Sequence, residues 1–315
     1  MLNLTPSAAL SMARFSDFDA FRPAEFGAPA RNIPLDIRNF YAARATVRLP
    51  SCQVTALRSF ARIVDASYRV DGGLVMVPLE DIEPVSANGQ TLDSSFFVTM
   101  RGRIDNQFRE PRPTVHALIV LAADLPDRGW FETPDKLCVF SADADAQATL
   151  GGLLRNLLLT ASAEPHLFRE PGFALTMQEN LLFAIDDLFR LSRPATSHRL
   201  ASSRYCGIVR KVDEYMAHHA TSAIYSADLA AQCGVSVRTL STAIAQVRGM
   251  NLHRYLRLKQ LWSARAQLMK GADTLTVGSC ARANGFHHMG EFASLYRATF
   301  HETASRTLAR ARGLG

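Results

Sequence analysis

The chain of 315 residues has no Cys-x-x-Cys pair, and its five cysteines are scattered at positions 52, 138, 206, 233 and 280. Reduced core thiols are the expectation, with Cys233 and Cys280 on the buried faces of helices. Nothing basic stands beside Cys52, so a reactive thiolate is not expected there. Histidine is sparse in the first half, where His116 precedes His166 alone. Metal ligation by a β-barrel needs clustered histidines and carboxylates, so no metal is expected. Gly-x-Ser-x-Gly, Walker-type and Gly-x-Gly-x-x-Gly patterns are missing, which argues against an enzyme and leaves no cofactor motif. Long apolar runs are missing too: Ala117-Leu-Ile-Val-Leu-Ala-Ala123 is far too short to span a bilayer. Met1-Leu-Asn-Leu-Thr-Pro-Ser carries no basic region followed by an apolar stretch. A cytoplasmic protein with no membrane partner is expected.

Acidic charge is scarce at one end. From Arg204 onward there are 15 Lys and Arg against 6 Asp and Glu, a net +9, whereas the preceding residues hold 20 and 23, a net −3. A basic domain attached to a mildly acidic one suits binding to a phosphate backbone. The length accommodates two domains of ordinary size.

That basic end contains a short pattern twice. Tyr225-Ser-Ala-Asp-Leu-Ala-Ala-Gln-Cys-Gly-Val-Ser-Val-Arg-Thr-Leu240 reads as a helix capped by Ser226, a stop at Gly234, and a second helix capped by Ser236. Leu240, Ile244 and Val247 line one face of that second helix. Thr276-Val-Gly-Ser-Cys-Ala-Arg-Ala-Asn-Gly-Phe-His-His-Met-Gly-Glu-Phe292 repeats it, with Phe292, Tyr296 and Phe300 in the buried positions. Ala230-x-x-x-Gly234 and Ala281-x-x-x-Gly285 lie 51 positions apart, and the match drifts by one residue after the turn. Between them, Asn251–Met269 has helical periodicity uninterrupted by proline or glycine. Two helix-turn-helix units on a rigid connector, about 34 Å apart, would meet successive major-groove segments.

This stretch resembles the DNA-binding region of AraC/XylS-type transcriptional regulators. The resemblance lies in Leu-Ala-Ala-Gln-Cys-Gly-Val-Ser-Val-Arg-Thr-Leu, in Tyr255-Leu-Arg-Leu-Lys-Gln-Leu, and in Gly285-Phe, Gly290-Glu-Phe, Tyr296-Arg and Phe300. It covers about the last third of the chain. One departure follows Phe300, where the family's Phe-Gly-x-x-Pro-Ser is replaced by Phe-His-Glu-Thr-Ala-Ser. The resemblance implies a transcriptional regulator, expected to be an activator contacting RNA polymerase, with double-stranded DNA as partner.

Arg238, Ser241 and Thr242 point away from the Leu240/Ile244 face and match the family's base-contacting positions; the alternative is a solvated helix face. Outward positions of the second unit are Met289, Gly290 and Ser294, which read bases poorly. His287, His288 and Arg297 are therefore expected to grip phosphate while the first unit carries sequence preference. Arg254, Arg257, Lys259 and Arg265 lie on the connecting helix as further phosphate contacts or ordinary surface charges. Trp262 is expected in the core.

Upstream, residues 15–22 read as a short amphipathic helix or arm. From Tyr41 to Phe140 short apolar or alternating runs recur: Ala45–Leu49, Phe60–Val64, Leu74–Leu79, Phe96–Met100, Val115–Leu121 and Leu137–Phe140. Asp71-Gly72-Gly73 and Asn88-Gly89 are expected as tight turns. Two helices follow, Asp145–Ala161 and Phe173–Leu191, whose leucines at 150–158 and 181–189 either pack on the strands or form a homodimer interface. The fold class is α+β in two domains: residues 1–190 form a cupin-like β-barrel with following helices, 191–203 a linker, and 204–315 an all-α domain with helix-turn-helix units at about 226–248 and 276–300. This order is similar to the effector-sensing and dimerisation domain of many AraC/XylS regulators. It implies a small-molecule effector whose identity and pocket are not legible. Phe60, Met76, Phe97 and Met100 would favour an apolar or aromatic ligand, and Arg101 or Arg103 could hold a carboxylate. Two other readings remain: a DNA-binding module fused to an enzymatic or repair domain, and an architectural protein without an effector.

Overall fold

The structure is a computed structural model describing residues 4–21, 30–92, 95–131, 136–195, 199–218 and 225–313. It divides into one unit of Met1–Asn32, Asn39–Ala87 and Thr91–Ser197, and another of Ile33–Arg38, Asn88–Gln90 and His198–Gly315.

The first unit is built on β1 (Ser11–Phe15), β2 (Ala30–Pro34), β3 (Ala42–Leu49), β4 (Cys52–Arg58), β5 (Arg62–Pro78), β6 (Val85–Ala87), β7 (Gln90–Leu92), β8 (Phe96–Glu110), β9 (Val115–Leu121), β10 (Lys136–Ser141) and β11 (Arg193–Pro194). The ladder runs β1-β3-β4-β9-β5-β8-β10-β11, with β2 added to β5 and the β6–β7 hairpin added to β8. Successive side chains of a strand face opposite ways. In β9, Ala117, Ile119 and Leu121 join Val75, Val77 and Val54 in one core, while His116 and Leu118 face the other side. A run that is apolar throughout thus needs cover on both faces. The first face is covered by α1 (Ala144–Ala163) and α2 (Pro171–Leu191), through Leu150, Leu154, Leu158, Leu182, Ile185 and Leu188.

Three expectations are corrected here. The sheet is not closed into a barrel: among the described residues its path ends at β1 and β11, which do not pair with each other. Asp71-Gly72-Gly73 is no hairpin turn but a bulge inside β5, since the residues before and after it pair with the same strand, β8, with a register shift between Val70 and Leu74. There the backbone passes so close to β9 that a Cβ on Gly72 would lie 2.1 Å from the Leu121 carbonyl oxygen. Of the helix or arm expected at 15–22, the described residues 15–21 form no helix, and residue 22 lies outside the described residues: Phe15 ends β1 opposite Ala42. Phe18 and Phe21 close an aromatic cluster with Phe40 and Phe60, in which the Phe40 and Phe60 centroids are 4.7 Å apart. Long-range aromatic packing overrides the local amphipathic pattern. Asn88-Gly89 does turn the β6–β7 hairpin, with φ of 49° and 80°.

The second unit contains α3 (Arg199–His218), α4 (Ser226–Cys233), α5 (Val237–Arg248), α6 (Leu252–Met269), α7 (Val277–Ala283), α8 (Met289–Phe300) and α9 (Ala304–Ala311). Its C-terminal core joins Leu261, Ala264 and Leu268 of α6 to Cys280 and Ala281 of α7, Phe292, Tyr296 and Phe300 of α8, and Leu308 of α9. At 18 residues α6 is about 27 Å long. Among the described residues, no helix is long and apolar enough to cross a membrane.

Candidate nucleic-acid interface and buried cavity

The two turns share one hydrogen-bond design. Val235 N donates to Ala230 O at 3.0 Å, and Phe286 N donates to Ala281 O at 3.0 Å; Gly234 N and Gly285 N each donate three residues back, also at 3.0 Å. These bonds end a helix through a left-handed residue, and both glycines supply it, with φ of 67° and 79°. Such a conformation costs an L-residue with a Cβ roughly 1–2 kcal/mol. The one-residue drift lies in the turn: α5 starts three residues after its glycine and α8 four after. Beyond it the buried positions realign, Leu240 with Phe292 and Ile244 with Tyr296.

The caps differ. Ser236 accepts from Thr239 N at 3.1 Å at the start of α5, whereas His288 occupies the cap of α8 without a side-chain bond. Ser226 is the first residue of α4 rather than its cap; Tyr225 takes that position and makes no side-chain cap bond. After Phe300, His301 stands in the left-handed region at φ 57°, where the family pattern has glycine. Thr303 then caps α9, a helix the sequence reading did not anticipate.

A buried charge cluster fixes α5 against its neighbours. Asp213 of α3 accepts from Arg248 Nη2 at 2.8 Å, from Tyr255 Oη at 2.5 Å, and pairs with Lys259 Nζ at 2.9 Å. Burial alone would raise the Asp213 carboxyl, but Lys259 and Arg248 more than offset it and hold it below the ordinary value. A second cluster holds α9, where Glu302 binds Arg265 at 3.1 Å, Arg310 and the Thr307 hydroxyl at 2.8 Å. Arg257 lies 4.8 Å from the Phe286 ring centroid and pairs with Glu291 at 3.1 Å. Three of the four basic residues on α6 therefore hold the domain together. Arg254 alone of them is exposed without an ion pair among the described residues. Trp262 packs edge-on to Phe300 at 4.8 Å and donates to Pro34 O at 3.2 Å. Neither carboxylate was singled out from sequence; for Asp213 the available signal was an Asp in an otherwise apolar helix face.

The outward positions fall as the periodicity requires. Arg238 and Thr242 are exposed on α5 and Ser241 is half-buried; His287, His288, Met289, Ser294 and Arg297 are exposed at and along α8. Thr242 donates its hydroxyl proton to Arg238 O at 3.0 Å, leaving its oxygen as an acceptor.

The first unit holds a cavity of about 110 Å³ on the face of the sheet away from α1 and α2. Met76, Leu118, Leu57, Met100, Phe96 and Phe108 supply apolar wall. Its polar end is Arg62, Glu110, His116, Thr114, Asn32 and Asn106. Arg62 forms a buried ion pair with Glu110 through Nε and donates to Asn32 Oδ1 at 2.8 Å. Burial would raise the Glu110 carboxyl, yet the Arg62 guanidinium and the Thr114 hydroxyl more than offset this and hold it below the ordinary value. Burial lowers His116 more than Glu110 raises it, so the imidazole is neutral at pH 7. Asn106 is 5% exposed, and among the described residues its Oδ1 has no hydrogen-bond partner. Such an orphan costs about 1–3 kcal/mol. Of the residues expected to shape a ligand site, Met76 and Met100 line this cavity. Phe60 belongs to the aromatic cluster, Phe97 stacks on Phe140 at 4.6 Å, and Arg101 and Arg103 do not line it. Cys52 is buried with its thiol pushed up to about 12 by desolvation, so it is no ready nucleophile. Among the described residues no group of three His, Cys, Asp or Glu could hold a metal ion.

Comparison with known proteins adds three findings. A family profile described as a helix-turn-helix domain matches residues 229–310. A probable thc operon regulatory protein of Rhodococcus erythropolis is 35% identical over 104 residues; the match covers 32% of this chain and 31% of that protein, so it spans about a third of the relative's length. Among solved structures, a probable AraC family transcriptional regulator from Rhodopseudomonas palustris is 36% identical over 33% of this chain and 97% of that one, with a TM-score of 0.31. The AraC-like transcriptional activator CuxR is 12% identical over 82% of this chain and 96% of that one, with a TM-score of 0.44.

Proposed function

By its C-terminal domain the chain belongs to the AraC family of helix-turn-helix, DNA-binding transcriptional regulators, and on that premise we propose how its parts divide the work. Residues 226–248 and 276–300 act as two DNA-binding units on the rigid α6. Arg238, Ser241 and Thr242 read base edges in a major groove, where Arg is the usual bidentate partner of guanine. His287, His288 and Arg297 grip phosphate, with Met289 and Ser294 at the same surface. The observation that carries this is the repeated turn, which gives α5 and α8 the same buried frame while leaving them different outward residues. The uncapped start of α8 supports its phosphate role, because first-turn amides favour anions.

Residues 1–190 act as the sensing domain and switch the regulator, without catalysis, when a small molecule occupies the cavity. The protein acts as a homodimeric activator that contacts RNA polymerase. The leucines at 150–158 and 181–189 pack in the unit's own core, Leu153 only partly buried, so the interface would use Leu175, Phe183 and Leu191, which are 46%, 62% and 46% exposed. Sedimentation that shows only monomer at micromolar concentration, with and without DNA, sinks the dimer.

The division of labour is tested by selecting sites from random duplexes with the full-length protein, then footprinting Arg238→Ala and His288→Ala. Loss of Arg238 should cost about 1–3 kcal/mol at its own base pair and relax preference there. Loss of His288 should weaken all duplexes alike. The opposite pattern means that the two units have been assigned the wrong way round.

A further inference from the structure

Within the sensing role proposed above, on which this inference rests, the polar end of the cavity specifies its ligand. We propose that the cavity binds an uncharged, apolar-bodied molecule of about five or six non-hydrogen atoms, with an N–H or O–H donor directed at the Asn106 side chain, a primary carboxamide being the best match.

The size follows from the volume. A cavity of 150 Å³ takes up benzene, and the enclosed part of this one measures about 110 Å³, so a body no larger than benzene fits it. The charge follows from the pairings. Arg62 is neutralised by Glu110 in a buried ion pair, and their side chains are 8% and 9% exposed. Among the described residues no unbalanced charge faces the space, so a carboxylate or ammonium would leave water without a counter-ion.

The donor requirement follows from proton bookkeeping. Thr114 has one hydroxyl proton, and it goes to Glu110 Oε1 at 3.0 Å. Ser59 then donates to Thr114 Oγ1 at 2.7 Å. His116 Nδ1 thus faces two acceptors, Thr114 Oγ1 at 3.5 Å and Glu110 Oε1 at 3.9 Å, and carries the ring proton. Nε2 of the neutral ring is left as an acceptor. The orphan Oδ1 of Asn106, four residues along β8 from Glu110, is a separate acceptor in the lining of the same cavity. If the Asn106 amide is turned over, the group still offers one acceptor and one donor. A carboxamide complements either setting.

The test uses full-length protein at pH 7 and three ligands of similar size and different charge: butyramide, butyrate and butylamine. Thermal melts and calorimetric titration should show saturable binding of butyramide and none of the two ions. Asn106→Leu removes the orphan at similar volume; it should melt no lower than the wild type and bind butyramide at least about tenfold more weakly. Ala66→Leu fills the cavity from the neighbouring strand and should abolish binding by an independent route. Binding of butyrate or butylamine in place of butyramide overturns the proposal. So does no response to any of the three, or unchanged affinity in both variants. DNA binding of the same samples separates the two readings: a protein that takes up butyramide but prefers no duplex refutes the regulator assignment and leaves the cavity chemistry standing.

Discussion

Asp213→Asn is the sharpest test of what holds α5 in place. The carboxylate is 5% exposed and receives α5 through Arg248, which is fully buried, and α6 through Tyr255 and Lys259. An asparagine keeps one acceptor, enough for Tyr255. It turns an amide NH₂ toward the Arg248 fork, so donor meets donor. It also removes the negative charge that Arg248 and Lys259 share at this position. Removing one partner of a buried ion pair costs about 3–5 kcal/mol. The loss should be local, so native-state hydrogen exchange on the full-length protein is the right assay. Amides of Ile244 and Tyr255 should lose protection equivalent to about 3 kcal/mol or more, while those of β8 and β9 stay unchanged. The difference must also fade in acid. The folded carboxyl sits below its ordinary value of 3.8, so its contribution is present above that pH and is lost as pH falls through the folded value. A loss under about 1 kcal/mol, or the same loss at pH 7 and pH 3, would falsify the account of Asp213 as the electrostatic hub.

Gly72→Ala should be far worse than Gly234→Ala. The first drives a Cβ into a backbone carbonyl, and the second strains only φ, at about 1 kcal/mol, a contrast readable in soluble yield and thermal midpoint. His301→Val should melt below His301→Gly by about 1 kcal/mol equivalent, because a β-branched residue tolerates φ 57° poorly; equal midpoints contradict the left-handed cap. Both Glu110 and His116 are shifted down, so the first unit keeps full stability above pH 6.5. It should lose stability first as unfolded chains take up protons on histidine below 6.5, and then more steeply below 4.5, in melts followed at β-sheet wavelengths. Replacing His116 with Asn should flatten the upper part of that profile.

Much of the second unit was legible because its signals are local. Glycine at a helix end, Ser236 three residues before a capped amide, and Leu or Phe every third or fourth position all act within one turn of helix. The first unit was less so. Val115–Leu121 was found because both its faces are apolar, but β8 runs on past Met100 through charged residues that alternate in and out. Asp-Gly-Gly has the composition of a turn, and only pairing of both flanks with β8 makes it a bulge. Phe15, Phe18 and Phe21 are spaced for a helix, yet their partners Phe40 and Phe60 lie far along the chain. The cavity escaped for the same reason: Arg62, Asn106, Glu110 and His116 come from three strands, and no spacing announces them.

The extra residue between Gly285 and α8 has an effect beyond the turn. Since it is absorbed before the helix begins, α5 and α8 superpose their faces at a shift of 52, which sets Arg238 against Gly290, Ser241 against Ala293 and Thr242 against Ser294. At these three positions α5 presents an arginine and two hydroxyls, whereas α8 presents only the Ser294 hydroxyl. A single chain therefore has a head and a tail. On the division of labour proposed above, a chain laid along a duplex would meet an information-rich half-site at one end and an undemanding one at the other, and inverting that site relative to a promoter would present the opposite end of the protein to whatever is bound alongside.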